Sequence, residues 1–184
     1  MFSGPFPTLR GERLELRALA PTDADAVYRQ FSDDEVTSYY DLDTFTDPAQ
    51  GEQLVASWLQ SYERRFGIRW AICRLDKPGQ LIGTCGYNLW SQGSARAVLG
   101  FDLGRSHWRQ GIMTEALQLI LDYGFGTMEL NRVEAVVFRD NVASADLLTK
   151  LGFTREGLLR EYEYVHGRFE DMYIFSRLRR DCST

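Results

Sequence analysis

Trp108-Arg109-Gln110-Gly111-Ile112-Met113-Thr114-Glu115-Ala116-Leu117 joins two kinds of periodicity. Before it, Ala97-Val98-Leu99-Gly100-Phe101-Asp102-Leu103 is a short, nearly continuous apolar run, the pattern of a buried strand. After it, Ala116, Leu117, Ile120, Leu121 and Phe125 recur at helical spacing. A strand, a tight loop at Gly111 and a helix, in that order, leave the first main-chain N–H groups of the helix without intrahelical partners and aimed at one point. That is the outline of an anion site. Arg105 and Arg109 are the only formal charges between Gly104 and Ile112, so a phosphate arriving there meets no repulsion.

Upstream of this centre the chain alternates between strand and helix signals. Arg13-Leu14-Glu15-Leu16-Arg17 has the two-residue period of a half-buried strand, and Thr22 to Phe31 follows as a short helix. Asp33 to Phe45 has no clean period and reads as a loop or a broken helix. Asp47-Pro48 opens a second helix whose stripe is Leu54, Val55, Trp58, Leu59 and Tyr62, closed by Gly67. Ile68 to Leu75, Leu81 to Leu89 and Ala95 to Leu103 are strands joined by short, turn-rich links, as antiparallel neighbours are. Gly83 and Gly86 in the middle one point to a bulge or close packing.

Downstream come a helix (112–125), a strand (133–138), a helix (143–151) and two long extended runs, 153–165 and 169–178, separated by His166-Gly167. A strand–helix–strand unit makes one locally parallel pair, whereas the hairpins beside it are antiparallel. The expected fold is α/β: a twisted mixed sheet of about seven strands, with helices on both faces and a splayed central pair. Ligands settle where strands part, beside a helix N-terminus, and here that point is Arg105 to Thr114.

At 184 residues, with 44% hydrophobic and 26% charged, the chain is expected to form one domain over 1–184. No apolar stretch approaches a membrane span, and Met1-Phe2-Ser3-Gly4-Pro5 lacks the features of a signal peptide, so the expectation is a cytoplasmic protein with no membrane partner. Cys73, Cys85 and Cys182 have no metal-ligand spacing, and His107 and His166 are far apart; no metal is expected. The net charge of −5 disfavours a nucleic-acid partner and favours cationic ones such as amines or protein N-termini. Aromatic residues in the later strands leave a monomer or a homodimer open.

Taken together, Leu14-Glu15-Leu16-Arg17, Leu81-Ile82-Gly83, the 108–116 loop, Asn141-Val142-Ala143-Ser144-Ala145 and Lys150-Leu151-Gly152-Phe153-Thr154-Arg155-Glu156-Gly157 resemble the GNAT family of acetyl-coenzyme A dependent N-acetyltransferases. The chain looks most like the family's ribosomal-protein N-terminal acetyltransferase (Rim-type) branch. The resemblance implies that main-chain amides of Arg109, Gln110, Gly111, Ile112, Met113 and Thr114 hold the diphosphate of acetyl-CoA. It further implies that Phe101, Asp102 and Leu103 pair with the pantetheine arm through their main chain, and that Asn141 hydrogen-bonds that arm. Met113 stands where the family usually has Gly or Ala, and Arg109 where the branch often has Gly. Both add side-chain bulk to the loop.

Acetyl transfer to an amine needs a neutral amine, stabilisation of the tetrahedral oxyanion and a proton for the leaving thiolate. By resemblance, Ser144 is the proton donor to sulfur and Glu163 the base; Glu35, Asp41 and Glu161 are less favoured carboxylates. Asn141 equally fits a helix N-cap, Ser144 a first-turn serine, and Glu163 a solvated strand face. Strand alternation puts Glu161 and Glu163 on one face and Tyr162 and Tyr164 on the other. The acceptor is expected between the 28–45 region and the hairpin at His166, with Tyr39, Tyr40 and Trp90 as possible lining. The expected reaction is transfer to the N-terminal α-amine of a protein, a ribosomal one by resemblance. A small-molecule amine acetyltransferase and a non-catalytic acyl-CoA-binding module are the alternatives.

Overall fold

The computed structural model describes residues 5–182; the reading of Met1 to Gly4 as lacking a signal sequence falls outside them. The described residues form eight strands: β1 (Leu9–Arg10), β2 (Leu14–Ala18), β3 (Ile68–Arg74), β4 (Leu81–Ser91), β5 (Arg96–Leu103), β6 (Arg132–Phe138), β7 (Thr154–Val165) and β8 (Arg168–Leu178). They lie in one sheet of order β1-β2-β3-β4-β5-β6-β8-β7. Seven answer the strand signals of the sequence. The eighth, β1, is two residues pairing Leu9 with Leu16, too short for a period to show.

The helices are α1 (Ala24–Phe31), the single turn α2 (Asp34–Thr37), α3 (Pro48–Glu63), α4 (Ile112–Gly126) and α5 (Val142–Lys150). Asp47 starts α3 by accepting from Ala49 N–H (2.9 Å), while Gln50 Oε1 accepts from Asp47 N–H (2.9 Å). The helix stops at Arg64 and Arg65, the latter at φ +60°, ahead of the expected Gly67. Gly67 serves another need: a Cβ there would stand 2.4 Å from the Tyr87 carbonyl oxygen, so its small size lets β3 approach β4.

Two cores sandwich the sheet. On one face Ile112, Ala116, Leu117, Ile120 and Leu121 of α4 and Leu148 of α5 pack with Trp70, Cys85, Tyr87, Leu99, Val133 and Ala135. On the other, Val27 and Phe31 of α1 and Val55 of α3 pack with Leu19, Phe45, Ala71 and Leu81. Each such large apolar side chain, fully buried, contributes about 1.5–3 kcal/mol.

One pair in the sheet is parallel, and it is short. β5 meets β6 only at Arg96–Arg132, Ala97–Val133 and Val98–Glu134. Beyond Val98, β5 continues to Leu103 beside β4 while β6 continues to Phe138 beside β8. The strands part, and a gap opens in mid-sheet. Its base is stapled by charge: Glu134 accepts from Arg96 (3.1 Å) and Arg132 (2.6 Å), and Arg132 also binds Glu156 of β7. The α/β class, the mixed pairing, helices on both faces and the splayed pair all follow the expectation.

Candidate active site

The head of the gap is the loop between β5 and α4. Arg109 (φ +58°) and Gly111 (φ +73°) both adopt left-handed backbone, the kind of alternation by which successive peptide N–H groups form an anion-binding concavity. Among the described residues, no N–H from 109 to 114 is tied to a protein oxygen, and the first bond of the helix is Glu115 N–H to Gly111 C=O (3.2 Å). The loop is held from outside instead. Arg13 donates to Gln110 C=O (3.0 Å) and to Glu115 (2.8 Å), Arg13 N–H donates to Glu115 Oε1 (2.8 Å), and Gln110 Nε2 donates to Ser106 C=O (2.9 Å). Burial opposes the Glu115 charge, but the Arg13 contacts prevail and hold its carboxyl below the usual range.

Ile112 and Met113 are buried in the α4 core, so the bulk of Met113 is taken up by the core and not by the loop surface. Gln110 and Gly111 are exposed, Arg109 likewise, and Thr114 is half-buried. Six donors with an aligned helix behind them suit a diphosphate.

Along the β5 wall the partners divide. Gly104 N–H donates to Ile82 C=O (2.9 Å), so by strand alternation Asp102 also turns its main chain to β4, while Phe101 and Leu103 turn theirs to the gap. The Leu103 carbonyl accepts from Trp108 Nε1 (2.7 Å), which leaves Leu103 N–H and the Phe101 peptide groups facing the opening. Asp102 instead sends its carboxylate into a buried network on the α1 face. It accepts from Thr84 Oγ1 (2.6 Å), Thr84 N–H (3.1 Å), Gln30 and Arg69.

Arg69 and Asp102 have side chains only 4% and 1% exposed, so each charge depends on the other for compensation. Arg69 donates further to Thr84 Oγ1 (2.7 Å), Asn88 Oδ1 (2.8 Å) and Tyr40 Oη (3.1 Å), and lies 4.5 Å from the Trp58 ring centre. Burial works against its charge, yet Tyr40 and Asp102 outweigh it and its pKa rises; burial raises that of Tyr40. This cluster was not read from the sequence. Its signal was there: Arg69 and Asp102, of opposite sign, each interrupt the apolar run of a strand away from the charge at that strand's other end.

On the β6 side, Asn141 caps α5, with Oδ1 accepting from Ser144 N–H (3.0 Å). The capping role is therefore real, and the Asn141 amide NH2 remains for a second partner. The Ser144 hydroxyl is half-buried and, among the described residues, bonds no protein atom. Glu163 lies across the sheet from these. Leu159 pairs with Met172 and Glu163 with Glu170, so β7 carries two extra residues, with Glu161 at φ +49° donating its N–H to Asp171 (2.9 Å). This bulge breaks the simple alternation of 161 and 163 expected from sequence. Glu163 shares its face with Val165 and Met172, opposite to α4 and α5.

On that face Tyr39 reaches across to Phe138 of β6 (ring centres 6.1 Å apart), and His166 at the β7–β8 turn stands 3.3 Å from Asp43. The two segments expected to flank an acceptor thus meet. Tyr40 belongs to the Arg69 cluster. Trp90 differs from expectation: an extra residue at Asn88 shifts the alternation of β4 and turns Trp90 to the α4 face. Among the described residues, no group of three or more His, Cys, Asp or Glu side chains is placed for a metal ion, and no helix is long and apolar enough to cross a membrane.

Known proteins agree with this architecture. Residues 13–154 match the family described as the acetyltransferase (GNAT) domain. An uncharacterized N-acetyltransferase p20 of Bacillus licheniformis is 42% identical over 178 residues, covering 95% of this chain and 97% of its own. A ribosomal-protein-serine acetyltransferase of Escherichia coli is 25% identical over 171 residues, covering 91% and 93%. Among solved structures, RimL, a ribosomal L7/L12 α-N-protein acetyltransferase in complex with coenzyme A, superposes with TM-score 0.85 at 21% identity over 94% of this chain and 98% of its own. The chain belongs to the GNAT family and is an acyl-CoA dependent acetyltransferase.

Proposed function

We propose that the protein transfers acetyl from acetyl-CoA to the N-terminal α-amine of a protein, a ribosomal one in the first instance, by direct attack within a ternary complex in the cytoplasm. One domain over 1–184 carries the whole reaction, as a monomer or a homodimer. The observation that carries the proposal is the row of untied N–H groups from 109 to 114 at the head of the β5–β6 gap. They suit the diphosphate, and the gap-facing peptide groups of Phe101 and Leu103 suit the amides of the pantetheine arm, extended like an added strand. The Asn141 NH2 supplies a donor from the opposite wall. Ribosomal-protein acetyltransferases among the relatives support the acceptor class.

The amine attacks the thioester carbonyl, and Glu163 takes the proton lost from nitrogen, directly or through water. As the tetrahedral intermediate collapses, the C–S bond breaks and the Ser144 hydroxyl protonates or orients the departing thiolate. Replacing Glu163 by Gln should lower turnover and flatten the acid limb of the pH–rate profile; a profile unchanged across pH would remove it from the mechanism.

The deciding experiment follows thiol release from acetyl-CoA with N-terminal peptides and with small amines such as polyamines, amino acids and aminoglycosides. Release with peptides is the expected result. Release with small amines only, or tight binding of acetyl-CoA without any release, would contradict it.

A further inference from the structure

The inference concerns how the acceptor is recognised, and it rests on the acetyl-transfer reading above. In the β4–β5 ladder Tyr87 pairs with Leu99 and Leu89 with Val98, so Asn88 is an extra residue without an opposite number. Val98 is also where β5 leaves β6, and Asn88 therefore stands level with the start of the gap. Its side chain lies flat over Gly100, where a Cβ would come within 2.4 Å of Asn88 Nδ2.

The orientation of this amide is fixed by chemistry. Arg69 Nη1 is 2.8 Å from Asn88 Oδ1, and a guanidinium only donates, so the oxygen must face Arg69 and the NH2 must face away. Arg69 in turn is immobilised by Thr84, Tyr40, Asp102 and the Trp58 ring. The outcome is a preset donor, exposed, with no acceptor for its Nδ2 among the described residues. Beside it is a cavity of about 260 Å³ lined by Tyr40, Asp41, Leu42, Trp58, Arg69 and Asn88. That volume is smaller than a typical whole-ligand site and suits one amino-acid side chain.

We propose that Asn88 is the acceptor-positioning residue: its Nδ2–H donates to the carbonyl oxygen next to the reacting amine, and the adjoining cavity receives the side chain on the same carbon. The acceptor class is then an α-amine flanked by a carbonyl, as at a peptide N-terminus, and not a plain alkylamine. A polyamine offers no such oxygen.

The test uses the full chain, acetyl-CoA and two acceptors that differ only in that carbonyl, a short peptide and the alkylamine bearing the same first side chain. Asn88→Ala should raise KM for the peptide about five- to tenfold while KM for the alkylamine and for acetyl-CoA stays within about twofold, the loss of one hydrogen bond. Should the alanine variant fold poorly, Asn88→Asp keeps the shape but cannot donate, and is expected to discriminate in the same way. Gly100→Ala should reproduce the defect by displacing the amide. Equal losses on both acceptors, no loss on either, or a wild type that takes the alkylamine as readily as the peptide would overturn this inference and leave the acetyltransferase intact. Failure of acetyl-CoA to raise the melting temperature would instead strike the underlying reading, and this one with it.

Discussion

Arg69 shows most clearly how a single residue can govern this fold. It is buried, paired with Asp102 and saturated by five partners, so its removal leaves a carboxylate desolvated and uncompensated. Arg69→Ala is expected to destabilise by about 3–5 kcal/mol, read from urea unfolding; a loss below about 1 kcal/mol would mean the buried Arg69–Asp102 pair is not the anchor described. Gly111 makes a second case. At φ +73° it begins α4, and a Cβ would meet Arg13 Nη2 at 3.4 Å, so Gly111→Ala should cost about 1–2 kcal/mol and weaken coenzyme A binding. Met113 is the opposite: its departure from the family pattern is absorbed because helical geometry turns the side chain into the core. The sequence showed Arg69 and Asp102 only as two charges inside apolar runs, and neither their pairing nor the posture of Asn88 could be read from it, since each is set by a partner on another strand, 33 or 19 residues away.

At the scale of elements, the sequence announced what periodicity and capping control. α3 and α4 lie close to where their stripes and the Asp47-Pro48 and Gly111 signals put them, and the seven longer strands match the alternating, apolar or extended runs that marked them. Gly83 and Gly86 did signal β4's irregularity, seen as the register shift beside Gly83 and the close approach of β3 at Gly86, but the bulges at Asn88 and around Glu161 carry no such glycine and depend on the match between two strands. The β5–β6 staple gives a prediction at this scale. Hydrogen bonds from Arg132 and Ser176 lower the Glu156 carboxyl to about 2. A depressed carboxylate stabilises the fold above its unfolded pKa, near 4.5, and loses that contribution as pH falls toward 2. Glu156→Gln should therefore destabilise at pH 7 by about 1 kcal/mol or less, given its partial exposure, and the difference from wild type should shrink to a small fraction of that at pH 2, where about half of the carboxyls are protonated. Chemical unfolding at both pH values checks it. Glu115→Gln should loosen the loop from Arg13 and weaken coenzyme binding with little change in the rest of the fold, which titration against coenzyme A will show.

For the whole molecule, two helical layers flank a sheet that is open at one place, and a thioester cofactor is expected to close it. Acetyl-CoA at about a hundred times its Kd should add about 2.7 kcal/mol of stability and raise Tm by roughly 5–10 °C for a chain of this size. The splay itself was legible from the strand–helix–strand unit between antiparallel hairpins, although its exact origin at Val98 and Glu134 was not. The proposed acceptor groove was legible only as a region, because its walls come from the α2–α3 segment, the end of β6 and the β7–β8 turn, brought together at Tyr39–Phe138 and Asp43–His166. The central claim is that the N–H groups of residues 109–114 grip the diphosphate. Amide hydrogen exchange with and without coenzyme A tests it most directly. The account predicts strong new protection at 109–114, together with Phe101 and Leu103; unchanged exchange in that loop at saturating coenzyme would contradict it.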